Sequence, residues 1–196
     1  MWFRVKRHLP LWSLGLPQLV LLVICSLLIA SNIFLLWQNS MLRAAARPTA
    51  ETIKAGDELG NFQAIDKDGA STEIILRGAS PKRVLFYFRS NCPYCQLQVD
   101  QWKALAEKLD THKYRVIAIT PEKGLPDINE FIEKNGIVDW EVLRIPPEAA
   151  LRAKLAVTPI TFVVDENGVV EKSWAGLWKP QDLKQVEDFF GVHLSS

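Results

Sequence analysis

From Leu9 to Leu42 the chain carries no charged side chain. Within that stretch Pro17 to Trp37 is apolar apart from Gln18, Cys25, Ser26, Ser31 and Asn32. As a helix rising about 1.5 Å per residue it spans roughly 30 Å, the thickness of a bilayer core. Pro17 falls in the first turn, where a missing N–H costs little, and Trp12 and Trp37 bracket the segment where indoles prefer the membrane interface. The segment reads as one transmembrane signal-anchor helix over 13–37. A cleaved signal peptide is the alternative, with Ala44-Ala45-Ala46 as its cleavage site, but the apolar stretch is too long for one and Arg43 intervenes. A lipoprotein signal at Cys25 would need a small residue where Ile24 stands. Arg4, Lys6 and Arg7 make residues 1–12 a short basic tail, expected in the cytoplasm, which leaves the C-terminal body on the extracytoplasmic, periplasmic side of a bacterial inner membrane.

Of the 23 basic residues only five precede position 51, where there is no acidic residue, so the remainder holds 18 against 22 and carries −4. A mildly acidic body lacks the clustered Lys and Arg that neutralise phosphates, which excludes nucleic acid as partner. Three cysteines cannot build a disulfide scaffold, and 48% apolar content with seven Trp excludes a disordered chain. Residues 38–55 show no sustained apolar period and read as a linker to one domain over 56–192.

In that domain Phe62–Ile65 and Ser71–Leu76 flank Asp66-Lys67-Asp68-Gly69, a hairpin pattern. Val84 to Phe88 is a continuous apolar run of the kind a strand covered on both faces requires. After Cys92, apolar Cys95, Val99, Trp102, Ala106 and Leu109 recur at helical spacing, and Val116–Thr120 reads as the next buried strand. Asp127 and Glu130 suggest a capping box opening a helix that Gly136 stops. A short strand in 140–145, a helix over 148–155, a hairpin of 160–164 with 169–174 and a closing helix 180–190 complete an α/β pattern, a mixed sheet with helices on both faces.

Cys92-Pro93-Tyr94-Cys95 lies where a buried strand gives way to a helix. Two cysteines three apart across a first helical turn can close a disulfide while the first stays at the exposed end, where free N–H groups and the helix dipole stabilise a thiolate. Pro93 suits the first helical position. Cys95, on the apolar face, would be the buried resolving thiol. A zinc half-site has the same spacing but needs two further ligands, and His112 and His193 form no paired motif; no metal is expected. Val157-Thr158-Pro159-Ile160 places a proline at the start of an apolar strand; beside an upstream CxxC, it suggests a cis peptide facing the cysteines.

Together the hairpin, the strand 84–88, CxxC, the strand 116–120, the inserted segment 126–145, Thr158-Pro159 and the 165–168 turn resemble a thioredoxin-like fold, specifically the membrane-anchored TlpA-like thiol-disulfide oxidoreductases. The resemblance implies that Cys92 attacks, Cys95 resolves and Thr158-Pro159 pairs with substrate backbone. It also implies protein thiol or disulfide substrates, an upstream redox partner, and no cofactor beyond a Cys92–Cys95 disulfide. Three positions depart from the family: Asn91 stands where relatives commonly have Trp, Phe86 where thioredoxins bury an Asp, and Gln98 where some envelope relatives carry Glu. Asn91, Pro93, Tyr94 and Gln98 are the active-site neighbours. A reductant of selected envelope proteins is expected, with an oxidase using the same residues, a thiol peroxidase and a copper chaperone as alternatives.

Overall fold

The computed structural model describes residues 15–45 and 51–194. The expected tail 1–12, Trp12 and linker residues 46–50 lie outside the described residues. Two compact units divide between residues 49 and 50.

The first unit is helix α1, Leu16–Ala45. Its Pro17–Leu36 stretch, 20 residues, is long and apolar enough to cross a membrane by length and composition. Leu19, Ile24, Leu28 and Leu36 are exposed. The Ser26 hydroxyl donates to Val23 O (2.8 Å) and the Asn32 amide to Leu28 O (2.9 Å), so these polar side chains bond to carbonyls of their own helix. The helix also continues through Ala45, beyond the 13–37 span read from hydropathy: the polar residues after Trp37 end the apolar face without breaking helical propensity.

The second unit is built on a seven-stranded sheet in the order β2-β1-β5-β4-β3-β6-β7. The strands are β1 (Phe62–Ile65), β2 (Ser71–Ile74), β3 (Lys82–Tyr87), β4 (Tyr114–Thr120), β5 (Val142–Arg144), β6 (Ile160–Val164) and β7 (Val170–Ala175). Strands β3, β4 and β5 run parallel, while β6 lies antiparallel to β3, and β1 antiparallel to both β2 and β5. The β1–β2 turn forms because the Asp66 carboxylate accepts from the N–H groups of Asp68 and Ala70, and Gly69 takes φ 87°, a region costly for a side chain. Ile53, read from sequence as linker, is buried against this body, its N–H bonded to Lys154 O.

Helices α2 (Pro93–Lys108), α3 (Leu125–Asn135) and α5 (Pro180–Phe190) cover one face, and α4 (Pro147–Arg152) lies in the core of the other. Along the β3 run, Val84, Phe86 and Phe88 point into the first core and Leu85 and Tyr87 into the second, which is why the run has no polar alternation. Gly136 ends α3 in the left-handed region at φ 62°, as its position predicted. The expected capping box does not form. The helix begins earlier, with Gly124 as N-cap and no side-chain cap bond, because Pro126 needs no N–H partner in the first turn; Asp127 sits inside that turn, complementing the dipole instead.

Phe86 is fully buried and stacks on Trp102, ring centroids 4.9 Å apart and 9° from parallel. Phe86→Ala is expected to lower unfolding stability by about 3–5 kcal/mol. Phe86→Asp should cost more, since the carboxyl must be buried as well. Denaturant titration checks this; a Phe86→Asp midpoint equal to that of the unmodified protein would show that the site is hydrated.

Candidate active site

The sheet register gathers the site. Tyr87 pairs with Ile160 and Ile160 with Ala175, so the segments just beyond, Phe88–Cys92, Thr158-Pro159 and Gly176–Lys179, converge at one end of the sheet. The end of β4 arrives there too, because β3 and β4 are parallel. The Thr158–Pro159 peptide is cis, as the sequence suggested.

Cys92 is the N-cap of α2, with extended φ −90° and ψ 112°, and Pro93 follows at the first helical position. Its Sγ accepts from the Cys95 N–H at 3.3 Å, taking one of the free donors of the helix start. In the thiol form the same sulfur donates to Thr158 O at 3.6 Å. Burial pushes the Cys92 thiol up, but hydrogen bonds from the Cys95 thiol, Thr158 and the backbone N–H groups of Cys95 and Tyr94 outweigh it, and the net shift is downward. Cys95 is wholly buried, and burial first, then its contact with Cys92, pushes its thiol up to about 12. The pair is thus split as an attacking and a resolving thiol require. Both are free thiols in this structure.

Asn91 and Tyr94 are exposed beside Cys92, Tyr94 at 62%. The Arg89 carbonyl accepts from the Cys92 N–H at 3.2 Å. Gln98 is fully buried; its Oε1 accepts from Trp178 N–H at 2.8 Å and its Nε2 donates to Gln101 at 3.0 Å. Sequence reasoning missed Glu122. Its carboxylate accepts from Ser90 N–H (3.0 and 3.1 Å) and from the Ser90 hydroxyl (3.0 Å), clamping the turn that presents Cys92. Nothing local marks Glu122, since its partner lies 32 residues away. His112 lies in the turn after α2, at the opposite end of that helix from Cys92, and His193 pairs with Glu187 at 3.2 Å. Among the described residues no three His, Cys, Asp or Glu side chains are grouped to hold a metal.

The arrangement can accept a disulfide at Cys92, hold the mixed disulfide against Thr158-Pro159, and release it through Cys95. A model of the AhpC/TSA family matches residues 55–173. Sporulation thiol-disulfide oxidoreductase A of Bacillus subtilis (strain 168) is 21% identical over 116 residues, 58% of this chain and 70% of that protein. Among solved structures, the thioredoxin domain of a thiol-disulfide oxidoreductase from Bacteroides vulgatus aligns with a TM-score of 0.56 and 15% identity, covering 71% of this chain and 99% of that one. A thiol:disulfide interchange protein of the thioredoxin family from Chlorobium tepidum TLS gives 0.54 and 19%, covering 69% and 96%. A peroxiredoxin-like protein from Aquifex aeolicus gives 0.54 and 13%, covering 70% and 88%. The same fold therefore hosts more than one thiol chemistry, and residues must separate them.

Proposed function

This chain belongs to the AhpC/TSA family, with a thioredoxin-like fold, and from that premise we propose that it is a thiol-disulfide oxidoreductase in which Cys92 and Cys95 are the catalytic pair. The observation that carries the proposal is the N-cap position of Cys92, bonded to Cys95 N–H and Thr158 and backed by a buried second thiol. The Cys92 thiolate attacks one sulfur of a substrate disulfide, and the other sulfur leaves as a thiolate that takes up a proton. Cys95 then loses its proton and attacks Cys92 Sγ, expelling the second substrate sulfur as a thiolate. The substrate gains two electrons and two protons, and Cys92–Cys95 is left oxidised for an upstream redox partner to reduce. Thr158 and Pro159 line the path of the substrate chain, and no further cofactor is invoked.

The peroxidase alternative meets a physical obstacle. The places before Cys92 where peroxiredoxins carry Pro and Thr hold Leu85, fully buried in β3, and exposed Arg89. The reduced protein is expected to cleave a peptide disulfide, one per Cys92–Cys95 pair oxidised, and to consume hydrogen peroxide no faster than free thiols do. Peroxide turnover without disulfide cleavage would move the reading to a peroxidase. A reduction potential nearer the about −270 mV of thioredoxin than the about −120 mV of a strong envelope oxidant supports the reductant; the reverse supports the oxidase.

The finer setting is part of the same proposal: residues 1–12 a cytoplasmic tail, 13–37 the membrane anchor, 38–55 the linker and 56–192 the redox domain on the extracytoplasmic side, acting on envelope proteins. The exposed apolar side chains of Pro17–Leu36 support an anchor, since such a surface is unfavourable in water. Protease added to spheroplasts is expected to digest the redox domain. A domain protected until the membrane is breached reverses the orientation.

A further inference from the structure

We infer that Gln98 is a positioning residue for the wall of the partner-binding groove, a role that rests on the disulfide-exchange reading above. Beside Cys92 lies a groove of about 530 Å³ lined by Tyr94, Thr158, Ala175, Gly176, Leu177 and Lys179, among others. Thr158 is the residue whose carbonyl takes the Cys92 thiol, so this groove borders the reacting sulfur. Its far wall is the irregular segment between β7 and α5. Two hydrogen bonds from its backbone N–H groups hold that segment to the rest of the site. Gly176 N–H donates to Pro159 O at 2.7 Å, and Trp178 N–H donates to Gln98 Oε1 at 2.8 Å. The first joins the wall to the cis-proline loop. The second joins it to α2, one turn beyond Cys95.

Gln98 is fully buried and Trp178 is 5% exposed, so no water takes over if the amide oxygen is removed. A buried N–H left without an acceptor is costly, and the segment relieves that cost by shifting its backbone about the Trp178 ring, which stays packed on Trp174, because it has no helix or strand hydrogen bonds of its own. Its motion shifts Leu177 and Lys179 against Tyr94 and widens the groove. Cys92 is buffered from this change. Its own hydrogen-bond partners are Thr158, the Cys95 N–H and the Arg89 carbonyl, whereas the Gln98 side chain bonds Trp178 N–H and Gln101. Gln98 therefore acts on how a polypeptide is held more than on the reactivity of the sulfur.

The full-length protein tests this with Gln98→Met, which keeps the length and removes the acceptor, and Gln98→Glu, which keeps an oxygen for Trp178 N–H. Two substrates are compared: a cysteine peptide disulfide that fills the groove, and the small aromatic disulfide 5,5′-dithiobis(2-nitrobenzoate), which does not. In Gln98→Met the KM for the peptide is expected to rise about tenfold with kcat nearly retained, the size expected for one orphaned buried donor. The peptide-to-small-disulfide ratio of kcat/KM falls with it, and Gln98→Glu restores the ratio. A ratio that does not move in Gln98→Met, or that falls equally in Gln98→Glu, overturns the inference. Absence of peptide reduction by the unmodified protein would instead overturn the exchange reading itself. Should Gln98→Met not fold, amide hydrogen exchange of Trp178 in the unmodified protein decides: protection like that of α2 amides is expected, and exchange at the rate of free loops overturns the strut.

Discussion

Cys92→Ser is expected to abolish disulfide exchange, whereas Cys95→Ser should accumulate a mixed disulfide with substrate. The two outcomes differ because the thiols occupy opposite electrostatic positions. Cys92 sits on the helix start with donors aimed at its sulfur, which shift its ionisation downward. A serine there is a far weaker nucleophile, and the other cysteine of the same unit, Cys95, is buried. Loss should be complete within the detection limit, at least the about 10³-fold commonly lost when a catalytic nucleophile is removed. Cys95→Ser leaves attack intact and removes the group that releases the product. The covalent complex then persists on non-reducing gels until an external thiol is added. Cys92 should also alkylate faster than Cys95 in the reduced protein; faster labelling of Cys95 would reverse the assigned roles.

The second large effect is on pH dependence. The Cys95 thiol is pushed up to about 12, first by burial and then by its contact with Cys92. A raised pKa means that the thiolate is scarce at every pH below it and grows tenfold per pH unit. Once Cys92 is tied in a mixed disulfide its share of the shift is relieved, but burial, the largest cause, persists. Phe86 has no titratable group and the Gln98 amide is committed to Trp178 and Gln101, so neither supplies a base. Resolution is therefore expected to be the slow step near neutral pH, its rate rising about tenfold per unit from pH 6 to 9. Rapid-quench measurement of mixed-disulfide decay tests this. A plateau between about pH 6 and 7 would show that a carboxylate serves as general base after all. Gln98→Glu places such a group three residues from Cys95 on the same helix: one carboxylate oxygen keeps the Trp178 N–H, and the other, which cannot donate to Gln101, is left to take the Cys95 proton and is expected to speed resolution. Acceleration of decay in this variant is separable from peptide KM, which reports the groove.

What the sequence determined by itself is whatever one element's side-chain pattern can encode. The uncharged run to Leu42 required a helix with an apolar surface. The unbroken Val84–Phe88 run required a strand covered on both faces, and the spacing from Cys95 to Leu109 required a helix with one buried side. Cys92 at that junction was legible as an N-cap because Pro93 follows it and a helix leaves its first donors free. Where local signals competed, reading was less accurate. The Asp127 and Glu130 pair looked like a cap, but Gly124-Leu125-Pro126 could open the helix sooner. Only the tertiary structure decided which distant groups meet. Pairing of Tyr87 with Ile160 brings Thr158 to Cys92 across 66 residues; parallel β3 and β4 bring Glu122 to Ser90; and packing of α2 against the β7–α5 segment brings Gln98 to Trp178 across 80. Such contacts leave no periodic trace, because a hydrogen bond constrains only its two ends. The Cys95 ionisation was likewise out of reach, since the cost of charging a thiol is set by how completely other elements exclude water from it, and the first helix turn alone does not fix that.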